Sequence, residues 1–150
     1  MLARVRQGFT LIEILIVVVI MAVLASVVIP QFSNSTKQAQ TSTTEFNLQI
    51  LRSQIELYRN QHGGRLPSTG LKELLLSTDQ TGNDGTGADY PYGPYMQTLP
   101  LNALTNNAVV TATTKSPPTT ADVTANDGGG WLYNETTGGV WVDHEELVEK

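Results

Sequence analysis

A single carboxylate, Glu13, stands inside residues 9–29, FTLIEILIVVVIMAVLASVVI, a run with no other charge. A carboxylate in apolar surroundings is costly alone and tolerable when paired. Glu13 therefore needs a cation, a proton, or a place at the membrane–water interface. Elsewhere the residues that could do chemistry are sparse. Cysteine is absent, which excludes a disulfide framework, a cysteine nucleophile and a thiolate metal site. The two histidines are His62 and His144. Asp143-His144-Glu145-Glu146 sets an imidazole among acids, but no nucleophile elbow, P-loop or paired-histidine metal motif accompanies it. It reads as a solvated tail. Residues 79–89, DQTGNDGTGAD, offer the oxygen atoms that calcium takes, without EF-hand spacing. Gly85-Thr86-Gly87 has no following helix to hold a phosphate, so this stretch reads as a flexible surface loop. No catalytic constellation emerges, and the expectation is a protein that is not an enzyme.

The elements that must position Glu13 follow from composition. The chain has 150 residues, 9 Lys+Arg against 14 Asp+Glu, and a formal net charge of −5. That argues against nucleic-acid binding through a basic surface. Apolar residues concentrate near the N-terminus: fifteen of the 21 residues in 9–29 are Phe, Leu, Ile or Val. A run of that length as a helix crosses a bilayer core. Its apolar side chains favour insertion by about 6 kcal/mol in sum. A central carboxylate costs only about 2.5–3.5 kcal/mol, and Glu13 lies near one end. Arg4 and Arg6 precede the run, which places the N-terminus in the cytoplasm by the positive-inside rule.

Three arrangements fit such a block. One is a signal peptide cut after Val23-Leu24-Ala25, before Ser26. A second is a plain membrane anchor on a binding module. The third rests on Gly8-Phe9-Thr10-Leu11-Ile12-Glu13, which resembles the class III signal peptides of type IV pilins and type II secretion pseudopilins, most of all the major pseudopilins. The resemblance covers a short basic leader, Gly before Phe, Glu as fifth mature residue and a long apolar helix. It implies cleavage by prepilin peptidase between Gly8 and Phe9, N-methylation of Phe9, and a mature chain of 142 residues. It further implies that Glu13 pairs with the N-terminal amine of an adjacent subunit. The alternatives for Glu13 are snorkelling to the interface and simple protonation. By the same resemblance the partners are copies of the chain and minor pseudopilins in a filament, the peptidase, an inner-membrane assembly platform driven by a cytoplasmic ATPase, and membrane lipid before assembly; nucleic acid is not expected. The location implied is the bacterial inner membrane, single-pass, with the head in the periplasm or on an extracellular filament. Minor pilins that serve adhesion or DNA uptake are the alternative role.

Pro30 lacks an N–H and clashes with the carbonyl of Ser26, which predicts a kink or a short melted segment. Many type IV pilins have a proline at the corresponding place, so the resemblance gives Pro30 a part in assembly. Residues 31–61 contain neither Gly nor Pro, and Leu48, Leu51, Ile55, Tyr58 and His62 repeat at helical spacing. The helix is expected to resume, pass through a polar exposed neck (33–44), and stop at Gly63-Gly64. His62 reads as a polar residue near the helix-end carbonyls. Residues 70–76 read as a short helix capped by Ser68 or Thr69, and 109–113 as a strand. Residues 131–133 and 140–142 flank NETTGG as a β-hairpin, which would lay its Trp and Val side chains on the Leu48–Tyr58 stripe.

The expected fold is α+β and pilin-like, a long N-terminal α-helix packed against a small antiparallel β-sheet. The expected organisation is a leader (1–8), a transmembrane and filament-core helix (9–29), its continuation (30–62) and a globular head (63–150). The resemblance also raises calcium, with candidate oxygen ligands Asp89, Asn102, Asp122, Asp127 and Asp143.

Overall fold

The structure is a computed structural model that describes residues 8–124 and 128–149. One helix, α1, runs Leu11–Gln61, and the chain divides into two compact units, Met1–Gln38 and Ala39–Lys150. In the first unit the apolar side chains from Phe9 to Phe32 are exposed all around the helix. A helix that is apolar on every side is built for lipid or for other helices. Its most apolar window has a mean hydropathy of 3.1, long and apolar enough to cross a membrane. Helix continues through Pro30, so the expected melted segment is not formed. Ser35 and Thr36 donate their hydroxyls to the Gln31 and Phe32 carbonyls at 3.0 Å each, so in this exposed polar stretch the side chains bond back to the preceding turn.

The second unit is built on the rest of α1. Leu48, Leu51, Ile55 and Tyr58 are buried against Leu71, Leu74, Trp131, Tyr133, Val140, Val142 and Leu147. Each fully buried aliphatic side chain contributes about 1.5–3 kcal/mol. The helix ends as its sequence predicts: Gly63 has φ 63° and Gly64 N–H donates to the Arg59 carbonyl at 2.8 Å. His62 is buried there, its Nδ1 2.8 Å from the Tyr58 carbonyl, near the helix-end carbonyls as expected.

Three short strands form one sheet in the order β1 (Val110–Ala112), β2 (Trp131–Asn134), β3 (Gly139–Val142). The β2–β3 hairpin is antiparallel, with Trp131 opposite Val142 and Tyr133 opposite Val140. Its turn is held by Asn134, whose Oδ1 accepts from the Thr136 and Thr137 amides at 2.9 and 3.1 Å. The sheet is mixed, not antiparallel, because β1 pairs parallel with β2. The long 113–130 connection allows this, since it carries the chain back to the starting end before β2 begins. Gly130 sits where β1 approaches: a Cβ there would lie 2.7 Å from the Val109 carbonyl oxygen.

Period-two alternation sends Leu132 and Trp141 to the face opposite α1, where they pack with Val148 and the half-buried Val123. Only Trp131 of the two tryptophans lies on the helix stripe. Of the expected solvated tail, Asp143 to Glu146, Glu145 and Glu146 are exposed but Asp143 is buried, and Leu147 and Val148 beyond it are buried in the core. The expected 70–76 helix is a single 3-10 turn, Lys72–Leu74, because Leu71 takes a left-handed conformation (φ 55°). Neither Ser68 nor Thr69 caps it. Ser68 donates to Glu73 at 2.5 Å, and Thr69 donates its N–H and hydroxyl to Glu135.

Candidate functional site

The segment that the sequence marks for chemistry, residues 8–13, opens α1. Glu13 Oε2 accepts the Thr10 N–H at 2.8 Å and the Thr10 hydroxyl at 2.7 Å, while Glu13 N–H reaches back to Thr10 Oγ1 at 3.3 Å. This is a capping box: two side chains satisfy the donors that a helix start leaves without partners. Thr10 was missed as a functional residue, although Thr10-x-x-Glu13 before an apolar run is the sequence signature of such a cap. The consequence is chemical. Within one chain the carboxylate is already hydrogen-bonded, yet it stays exposed and within reach of an external cation. Phe9 is exposed beside it.

Gly8 borders the same turn. A Cβ built there meets no atom within 4 Å, so nothing in this chain's described packing requires glycine. Residues 1–7, the remainder of the expected leader, lie outside the described residues. Pro30 lies in the helical interior of α1, seventeen positions after Glu13.

The described calcium candidates lie in different surroundings. Asp89 is exposed beyond the 84–88 stretch. Asp122 receives the Thr119 N–H and hydroxyl at 2.9 Å each in a second capping box, and these bonds hold its carboxyl below the usual range. Asn102 is buried and spent on structure: its Oδ1 accepts from the Thr44 hydroxyl (3.2 Å) and Leu104 N–H (3.0 Å), and its Nδ2 donates to the Gly130 carbonyl (3.2 Å). Asp143 is buried as well, and its carboxylate accepts the Thr124 N–H at 2.8 Å and the Thr124 hydroxyl at 2.6 Å. Asp127 lies outside the described residues. Among the described residues no three acidic or histidine side chains gather closely enough to hold a metal.

Residues 79–83 carry hydrogen bonds of their own. Asp79 accepts from the Thr81 hydroxyl (2.7 Å) and amide (2.8 Å) and from the Asn83 amide and side chain (3.0 Å each). Those hydrogen bonds, Thr81 first, hold Asp79 far below the ordinary carboxylate range.

Comparison with known proteins completes the picture. Residues 3–29 match the model of the prokaryotic N-terminal methylation motif. The type II secretion system core protein G of Klebsiella pneumoniae is 32% identical over 97 residues, covering 63% of this chain and 66% of that protein. The core protein G of Pseudomonas aeruginosa is 30% identical over 141 residues, covering 92% of this chain and 96% of that protein. The chain belongs to the type II secretion system core protein G family. A fimbrial protein of Neisseria meningitidis is 31% identical over 111 residues, covering 74% of this chain and 56% of that protein. Several of the core protein G relatives are matched over only 60–66% of their length. No solved structure matches. For this core protein G family member the methylation motif spans Gly8, Phe9 and Glu13 together, the residues that the capping turn gathers.

Proposed function

We propose that this chain is a structural subunit of a type II secretion pseudopilus, processed by prepilin peptidase and assembled from the inner membrane. The observation that carries the proposal is the first half of α1, an all-round apolar helix whose one carboxylate sits in its first turn beside an exposed Gly8–Phe9 junction. Cleavage there leaves an ammonium at Phe9, one turn from Glu13. In lipid, the helix is satisfied by acyl chains. In a filament, the same surface is satisfied by neighbouring helices, and the buried Glu13 carboxylate acquires a neighbour's Phe9 ammonium as its partner. A misaligned neighbour leaves that charge unpaired, so the pair sets the stagger. The glycine at position 8, unneeded by this chain's own described packing, serves the peptidase.

The role is structural rather than enzymatic. The N-terminus faces the cytoplasm, the helix crosses the inner membrane once, and the head lies on the far side. The partners are further copies, minor pseudopilins, the peptidase and the assembly platform. A type IV pilus filament is the second reading, favoured by the fimbrial relative. Intact-mass and N-terminal analysis of the protein from cells with the peptidase tests the processing step. The expected product begins at methylated Phe9; a product beginning at Ser26, or an uncut chain, overturns it.

A further inference from the structure

Strand β1 leaves one edge of the sheet open. Trp131 N–H donates to the Val109 carbonyl and Thr113 N–H to the Tyr133 carbonyl, at 2.9 Å each, so the odd-numbered residues of this segment face β2. Val110 and Ala112 therefore turn their main-chain N–H and C=O groups the other way. Among the described residues no group bonds them there. A row of unpaired strand groups is a template for a further strand. The β3 edge differs, because Arg52 of α1 donates from Nε and Nη2 to the Val140 carbonyl at 3.3 and 3.1 Å.

The sequence leaves the β1 edge unguarded. Exposed edges usually carry a charge, a proline or a bulge. Residues 107–114, NAVVTATT, have neither charge nor proline. They end a run of twenty-five residues, 90–114, without Asp, Glu, Lys, Arg or His. Val109, beside the strand, is 60% exposed, and Ala112 is exposed as well. This neutrality selects the partner. Copies of a chain with net charge −5 repel one another, and a basic partner is drawn to acids elsewhere on the surface. Setting β1 against β1 brings no like charges together.

We propose that β1 pairs with β1 of a second copy, antiparallel about a two-fold axis at Thr111, and joins the two sheets into one. This register sets Val110 opposite the second copy's Ala112, and Ala112 opposite its Val110. Each of these pairs exchanges both N–H···O bonds, so the open groups of the two edges satisfy one another. Thr111 meets its own counterpart between them. A two-fold contact is self-complementary and closes on itself, so it pairs heads and does not extend a filament. It goes beyond the filament role and does not rest on it. A ladder of three residues is weak alone, and copies gathered through their apolar helices supply the local concentration it needs.

The chain has no cysteine, so introduced thiols read the register directly. The two Thr111 positions form a non-hydrogen-bonded pair with Cα atoms about 4.5 Å apart, within disulfide reach. The two Ala112 positions are diagonal neighbours roughly 7–8 Å apart, beyond that reach. Copper-phenanthroline oxidation of the full chain in non-ionic detergent, read on non-reducing gels, tests this. Thr111→Cys is expected to link at least fivefold faster than Ala112→Cys, although Ala112 is the more exposed of the two, and at least fivefold faster than Thr136→Cys in the β2–β3 turn. The same register sets Val109 opposite Thr113. Val109→Cys mixed with Thr113→Cys should therefore give mixed dimers, by intact mass, in at least threefold excess over either homodimer. Val109 is exposed, so this mixture keeps the test valid where Thr111→Cys disturbs folding. Ala112→Cys linking as fast as Thr111→Cys, or mixed dimers in no more than statistical yield, overturns the proposal.

Discussion

The His62 imidazole lies flat on the Tyr58 ring, with centroids 3.8 Å apart and planes 10° from parallel. Its Nδ1 is 2.8 Å from the Tyr58 carbonyl and its Nε2 is 2.9 Å from Thr78 Oγ1. A carbonyl only accepts, so Nδ1 carries a hydrogen. Thr78 in turn pairs through its backbone with Tyr92, at 2.8 and 3.2 Å. The last turn of α1 is thereby bolted to the 77–92 segment through one imidazole.

Replacing that imidazole removes a buried ring and two hydrogen bonds at once. His62→Ala is expected to lower stability by about 2–4 kcal/mol. Chemical denaturation of the full chain in detergent, followed by tryptophan fluorescence, checks this. A loss below 0.5 kcal/mol, the range of surface changes, would show that the bolt carries no load.

Asn102 links α1, the 102–107 turn and the glycines before β2. Asn102→Leu keeps the branched shape and takes the acceptor from the Thr44 hydroxyl and the Leu104 N–H, while the Gly130 carbonyl keeps only the Asp143 N–H. The expected loss is about 2–3 kcal/mol, larger than for the half-buried Asp122→Asn. Parallel denaturation curves of the two variants decide it; equal curves contradict the structural role.

Gly138 sits at φ 78°, and a Cβ there would lie 2.6 Å from a Leu66 methyl. Gly138→Ala is expected to destabilise by about 1–3 kcal/mol, from strain and the Leu66 collision together. Thermal midpoints of the variant and the unsubstituted chain measure it, and an unchanged midpoint refutes it.

Asp79 predicts a pH dependence with a definite sign. Its hydrogen bonds lower its affinity for a proton in the folded state relative to the unfolded one. The stabilisation is complete above the unfolded value of about 3.9, fades below it, and is gone once the folded carboxylate is protonated. Asp79→Asn should therefore melt lower than the unsubstituted chain at pH 7, with the gap narrowing well below pH 3.9. A gap that stays constant with pH contradicts this account.

Glu13→Ala separates assembly from insertion. The apolar run inserts without the acid, so membrane fractionation and processing at Gly8–Phe9 should be unchanged, while filament incorporation should fall at least tenfold. Sheared-filament yield measures this, and normal incorporation contradicts the pairing role.

Local features of this protein could be read from the sequence alone. Helix 11–61, its glycine stop and the 131–142 hairpin depend on periodicity and hydrogen bonds between near neighbours, which the chain order already contains. The Thr10–Glu13 cap is equally local, since both partners lie within one turn. The tertiary structure decided which distant surfaces meet. Parallel pairing of β1, the burial of Leu147 and Val148, and the internal hydrogen bonds of Asn102 and Asp143 all depend on contacts closed by long loops. A polar residue's type records what it can bind. Only its neighbours in space determine whether those valences are already spent, and among the described residues Glu73 alone kept a buried one open.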